Sequence, residues 1–221
     1  MSGGRFVFCL NEMVMRRICS YKGAMEGKDG KKMTHYIEEL RTYIPTCPQE
    51  AADQEMMTAY METFPHNILT RDNGFAHTTA SSMIINQTGD KVLMVYHNIY
   101  RSWAWTGGHS DGETDPLETA LREAREETGI CDLKVLGGLA SVDVLPVIGH
   151  MKRGKYISSH IHLNYSYLFE ADDRQPLRIK EDENSQVGWI AVADLEQMVS
   201  EPDMLPIYKK LIAEALRRKG E

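Results

Sequence analysis

The spacing of apolar residues changes from a helical to a strand-like period at His77, and that change divides the chain. Upstream of it, apolar residues recur three or four positions apart, predicting helices over Thr34 to Tyr43 and Pro48 to Phe64. Ile44-Pro45-Thr46-Cys47 separates them, and Pro48 suits a first helical turn. Met56, Met57, Tyr60 and Met61 form a stripe in the second helix, read as packing onto the body of the protein rather than as a ligand surface. Downstream, alternation predicts strands over Thr79 to Asn86 and Lys91 to His97, joined by a Gln87-Thr88-Gly89-Asp90 hairpin turn. Further strands are predicted over Ser102 to Thr106, Leu133 to Leu145, His160 to Glu170 and Gly188 to Val192. Asp194 to Val199 and Asp203 to Arg218 read as helices, the latter with Ile207, Leu211, Ala215 and Leu216 on its inner side. Strands interrupted by one central helix and closed by another predict an α/β fold with a mixed sheet between helices.

The central helix has clear ends. Asp115 is a good N-cap, Pro116 suits the first helical position, and Glu118 stands where a capping-box acid reaches back to the cap. Gly129 can take the left-handed conformation that stops a helix, which places the end near Thr128. Within it, Leu117, Ala120, Leu121 and Ala124 fall on one side, with Glu123, Glu126 and Glu127 in an adjacent arc. Glu123 and Glu127 are four residues apart, so their charges repel by a few tenths of a kcal/mol, about 0.2–0.5, unless a cation intervenes. Two readings follow: a solvated acidic face, or a site for a hard divalent cation such as magnesium or manganese. Gly107, Gly108 and Gly112, just upstream, permit the close backbone approaches of a loop that wraps a phosphate or a metal.

Loop, acidic helix and terminal glycine together resemble the Nudix box, G-x5-E-x7-R-E-U-x-E-E-x-G-U, where U is a bulky aliphatic residue. The match runs closely from Arg122 to Ile130, with the small Ala124 at the first U. Counted from Gly108, Thr114 stands at the family's first glutamate, with Glu113 one residue early. His77-Thr78-Thr79-Ala80-Ser81, the Trp103 segment leading into Gly107-Gly108-His109, and Glu183-Asn184-Ser185 ahead of Trp189 also resemble a bacterial Nudix subgroup of undefined substrate. The resemblance covers Asn73 to the C-terminus.

It implies a Nudix-type α/β/α sandwich with a mixed β-sheet, preceded here by a two-helix N-terminal extension. It also implies a hydrolase that cleaves a nucleoside diphosphate linked to another moiety, by attack of water on phosphorus with metal ions neutralising charge. Carried over by position, Glu123, Glu126 and Glu127 are metal ligands, one of which serves instead as base. Arg122 orients a neighbouring glutamate, and Gly107 and Gly108 shape the loop. Family members recruit a further glutamate from outside the box, a role that falls to Glu183, with Glu181 as its nearest rival. The cofactor implied is Mg2+, with Mn2+ as substitute. The corresponding organisation is a poorly ordered extension over 1–32, a helical prelude over 33–72 and a hydrolase domain over 73–221. Residues 1–32 lack a sustained period, and the pattern that opens at Met33 is compatible with a natural start there.

Five other positions carry chemistry. His160 and His162 alternate on a strand and face one side, where they bind a metal, line a substrate cleft, or stand exposed. His109 adjoins the glycines and is a candidate phosphate contact. Trp105 either stacks on a base or is buried near a strand end. Pro146 lies near the spacing at which ADP-ribose-cleaving Nudix members carry a proline, without their following glycine.

Composition narrows the class. With 221 residues and 42% hydrophobic content, the chain supports one core with an extension. A net charge of -7 argues against a nucleic-acid polymer as partner and is compatible with a small phosphorylated nucleotide held through metal ions. No apolar run reaches membrane-spanning length, and Met1 to Cys19 lacks the order of a signal peptide, so a cytoplasmic location is expected. Cys9, Cys19, Cys47 and Cys131 show no C-x-x-C spacing, which leaves reduced thiols as the simplest reading. A homodimer is compatible with all of this. The rival functions are a Nudix-fold binding or regulatory domain with little turnover and an isoprenoid isomerase. The first would be expected to lose the box acids, which are present here, and the second lacks a paired cysteine and acid.

Overall fold

The computed structural model of the protein describes residues 35–152, 154–180 and 184–220. The extension over 1–32, together with Glu181 and Glu183, lies outside them.

Helices α1 (His35–Thr42) and α2 (Pro48–Thr63) precede a mixed sheet built around β1 (Ala76–Asn86). The end of β1 pairs antiparallel with β2 (Lys91–His97), through Ile84 opposite Leu93, and its first half pairs antiparallel with β4 (Thr106–His109), through Ser81 opposite Gly107. On its other side β1 runs parallel to β9 (His160–Ala171) along its full length, from Ala76 opposite Ile161 to Asn86 opposite Ala171. Beyond β9 lie β5 (Lys134–Val135) and β6 (Ser141–Val147), while β10 (Asn184–Ala191) and β3 (Ser102–Ala104) pair with β2. Helix α3 (Pro116–Thr128) packs on β1 and β4, and a 3-10 turn, α4 (Leu195–Met198) and α5 (Leu205–Lys219) close the chain.

All eleven residues of β1 are buried. A strand covered on both faces loses its polar-apolar alternation, which is why its first three residues escape the periodicity reading. One face of β1 changes character along its length. Met83 and Ile85 join Leu168, Val92 and Met94 in a core closed by Tyr208, Leu211, Ile212 and Ala215 of α5. On the same face by alternation, His77, Thr79 and Ser81 line an open cleft. Each fully buried valine, leucine, isoleucine or methionine side chain in that core contributes about 1.5–3 kcal/mol.

Several boundaries depart from the periodicity. Leu133 to Leu145 is two strands, because Gly137 turns the chain at φ 82° and Arg218 of α5 donates to the carbonyls of Leu136, Gly138 and Leu139. Ser102 to Thr106 divides at Trp105, where the chain leaves β2 for β1. The strand expected from Gly188 begins at Asn184, and a hairpin of β7 (His150–Lys152) and β8 (Lys155–Ile157) has no counterpart in the prediction. On α5, Tyr208 and Ile212 are buried where Leu216 was expected, and Leu216 is exposed; on α2, Met57 and Met61 are buried while Met56 faces solvent.

The two N-terminal helices reach the sheet through polar anchors as well as methionines. Tyr165 Oη donates to the Tyr36 carbonyl at 3.0 Å, and Tyr167 Oη donates to Glu39 at 2.6 Å. Glu50 of α2, wholly buried, takes hydrogen bonds from Tyr43, Thr46 and Ser141 and pairs with Lys210 of α5 at 2.7 Å. Asp143 of β6, also buried, lies 3.2 Å from the same ammonium.

Candidate active site

Helix α3 is set by its caps. Asp115 accepts from the amides of Leu117 and Glu118, and Gly129 stops the helix at φ 74°. The reciprocal half of the cap does not come from Glu118. Glu113 supplies it instead, its carboxylate accepting the amides of Thr114 at 2.7 Å and Asp115 at 2.9 Å. The acid one residue early in the box is thereby committed to the loop backbone, and it is not among the residues lining the cleft.

The glutamates of α3 do not form a uniformly solvated face. Glu123 and Glu127 are only 6% and 4% exposed, while Glu126 faces solvent. Burial of a carboxylate requires partners. Glu123 receives Arg122 Nη1 at 2.6 Å, and its other oxygen lies 3.7 Å from Lys180 Nζ, which donates to Glu126 at 3.2 Å. Glu127 accepts the Gly107 amide at 3.0 Å and the Asn184 side-chain amide at 3.2 Å. Arg122 also donates to the His109 carbonyl at 3.1 Å, joining helix to glycine strand.

Gly108 explains why that strand carries glycine. A Cβ placed there would sit 2.3 Å from Cδ of Glu123, so the strand passes over the carboxylate only with no side chain between them.

Arg122, Glu123, Glu126, Glu127, Gly107, Gly108, His109, His160 and His162 all line one cleft of about 740 Å³, with Lys180, Arg71, Trp105 and Tyr100 among its other walls. Trp105 is half-buried, with Tyr208 on one side at a ring separation of 5.3 Å and the cleft on another. Pro146 is exposed and does not line the cleft. The cleft floor is polar: Thr79 and Ser81 each donate to the Asn164 side-chain oxygen at 2.9 Å.

His77 is one of the lining residues that sequence reasoning passed over, as it did Arg71, Tyr100 and Lys180. It gathers with His109, His160 and His162 so that one ring nitrogen from each lies within 4.8 Å of the others. The parallel register that sets His77 opposite His162 brings them together. Burial holds His109 and His162 down to about 2, with nearby positive charge adding to the effect, so both rings are neutral. Burial lowers His77 as well, against the opposing hydrogen bond from its ring to the Asn73 carbonyl.

A NUDIX domain matches residues 76–214, and the chain belongs to that family. A curated relative from Lactococcus lactis named as a probable DHNTP pyrophosphohydrolase is 25% identical over 115 residues, which span 52% of this chain and 66% of that protein. The match therefore covers just under two thirds of that relative. Among solved structures, a NUDIX hydrolase of Listeria monocytogenes superposes with a TM-score of 0.50 at 16% identity, over 64% of this chain and 96% of that one. An Ap4A hydrolase of C. elegans does so at 0.48 and 18% identity, over 63% and 98%. The expected fold, a Nudix sandwich with helices on both sides of a mixed sheet, is the fold observed, and the family is one of hydrolases. No described helix is long and apolar enough to cross a membrane.

Proposed function

We propose that the protein is a metal-dependent Nudix-type pyrophosphohydrolase that cleaves the phosphoanhydride bond of a nucleoside diphosphate linked to another moiety. The observation that carries this is the convergence of Glu123 and Glu126 on a single cationic position, held here by the Lys180 ammonium. Hard oxygen donors gathered around a positive centre suit Mg2+, with Mn2+ as substitute, so the residues present fit the ion that the family implies. When bound, the ion supplies Lewis-acid stabilisation of charge on the phosphoryl oxygens and lowers the pKa of bound water.

The chain's own groups do the rest. Glu123 and Glu126 bind the cation, with Glu127 as a third ligand or as base. Arg122 positions Glu123, and Gly107 and Gly108 keep the strand low enough for phosphate to approach. Glu183, with Glu181 as its nearest rival, is the candidate for a further general base or ligand, because the Glu183-Asn184-Ser185 segment matches the place from which the family recruits a glutamate outside the box. Arg71, Lys152 and Lys155 line the cleft and give it positive charge for a phosphorylated substrate, while Trp105 and Tyr100 offer aromatic faces to a base. His109, His160 and His162 line it too, with their ring nitrogens drawn together.

The test is a screen of nucleotide sugars, dinucleotides and nucleoside triphosphates with Mg2+, products identified by mass. The proposal requires nucleoside monophosphate, or another pair of products of phosphoanhydride cleavage, only when metal is supplied. The DHNTP named for the Lactococcus relative belongs in the panel. Binding of these nucleotides without turnover would favour the regulatory-domain alternative.

A further inference from the structure

We propose that His77, His109, His160 and His162 form a second metal site, for Zn2+ or a similar nitrogen-preferring transition ion, distinct from the carboxylate site in the same cleft. The four side chains come from three strands: His77 from β1, His109 from β4, and His160 and His162 from β9. Their ligand atoms lie within 4.8 Å of one another, and Nε2 of His160 is 3.1 Å from Nε2 of His162. An ion with metal–nitrogen bonds of 2.0–2.1 Å in tetrahedral geometry spaces its ligands about 3.3–3.4 Å apart. The His160–His162 pair already stands near that spacing, and side-chain adjustment closes the remainder.

Two of the rings have their tautomer fixed by the backbone. His77 Nδ1 lies 2.9 Å from the Asn73 carbonyl and His160 Nδ1 lies 2.8 Å from the Ser158 carbonyl. A carbonyl oxygen only accepts, so both Nδ1 atoms carry the proton and both Nε2 atoms present lone pairs. That is the arrangement by which metal-ligating histidines are held and made more basic. A cluster held by hydrogen bonds alone explains only part of this. His162 can donate to His160, but His77 Nε2, on a residue 5% exposed, is buried with no hydrogen-bond partner. A buried acceptor left unmatched calls for a partner, and a metal ion supplies one.

The alternative of a cationic phosphate clamp fits less well. Four imidazoles this close repel one another when charged, so the cluster offers lone pairs rather than positive charge. Imidazole donors also select Zn2+, Cu2+ or Ni2+ over Mg2+, which separates this site chemically from Glu123 and Glu126.

The experiment uses the full chain without an affinity tag, stripped by chelator and dialysed, then titrated with Zn2+ alone and Co2+ alone. Wild type should bind about one equivalent of Zn2+ with a dissociation constant below about 1 µM, and Co2+ should give visible bands of a nitrogen-ligated ion. His77→Ala and His162→Ala should each weaken Zn2+ by at least about a hundredfold, more than loss of an outer-shell partner, while Glu123→Gln leaves it within about twofold. X-ray absorption on the wild-type Zn2+ complex should show a shell of imidazole nitrogens, a readout that stands even when a histidine variant does not fold. Absence of binding, a shell of oxygen or sulfur, equal binding in the histidine variants, or loss of Zn2+ in Glu123→Gln would each overturn the proposal.

Discussion

Lys180 Nζ lies 3.2 Å from Oε2 of Glu126 and 3.7 Å from Oε2 of Glu123, so a side-chain ammonium stands where the two carboxylates proposed as metal ligands meet. A divalent ion entering this position competes with Lys180 for the same oxygens. Replacing Lys180 by Met removes the competitor. The Mg2+ concentration for half-maximal rate should then fall by about fivefold, equivalent to about 1 kcal/mol for a partly exposed pair. Initial rates over a Mg2+ titration measure this, and an unchanged or higher requirement would mean that Lys180 does not guard the carboxylates.

Gly108 offers a test that separates chemistry from folding. A Cβ at this position collides with the Glu123 carboxyl, the far end of a flexible side chain, rather than with backbone. Gly108→Ala should therefore fold and melt within a few degrees of wild type while losing at least about tenfold in turnover, because the displaced carboxylate no longer meets its geometry. Paired melting curves and rates decide the matter. Full activity in the alanine variant would show that Glu123 need not sit under the strand.

The helical half of the site was legible because its signals are local. Asp115, Pro116 and Gly129 fixed α3 to the residue, and the spacing of Glu123, Glu126 and Glu127 put them in one arc. Which of those acids are buried was not legible, since that depends on β4 crossing above Glu123 and on Asn184 reaching Glu127 from a distant strand. The histidine cluster was half legible. His160-x-His162 announced a shared face, but the segment that opens with His77 gave that residue no ligand role, and it joins the others only through the parallel pairing of β1 with β9. Strand breaks were lost for a similar reason: Leu133 to Leu145 is continuous in hydropathy and is cut by Gly137 and by the Arg218 guanidinium.

Lys210 tests how the N-terminal helices are held. It is the ammonium between Glu50 and Asp143, two carboxylates with no exposure. Removing one partner of a buried ionic cluster leaves uncompensated charge, at a cost of about 3–5 kcal/mol. Lys210→Met should lower Tm by about ten degrees or more, and adding Glu50→Gln with Asp143→Asn should recover part of the loss. A variant as stable as wild type would show that the cluster contributes little.

The acidic segment Glu181 to Glu183 supplies a paired comparison. Glu183→Gln should slow turnover by about a hundredfold or more with a smaller change in KM, in the range of general-base loss, whereas Glu181→Gln should reduce it only mildly. Rapid-quench kinetics on both variants report the chemical step. Equal, mild effects would return the base to the box helix.

The most direct test of the central claim is hydrolysis in heavy-oxygen water, using the nucleoside diphosphate derivative that the screen identifies as substrate. Wild type with Mg2+ should place one heavy oxygen on one of the two phosphate products, and Glu123→Gln, folded by its melting curve, should do so at least about a hundredfold more slowly. Cleavage that needs no divalent metal, label appearing in neither phosphate product, or near wild-type turnover by folded Glu123→Gln would contradict it.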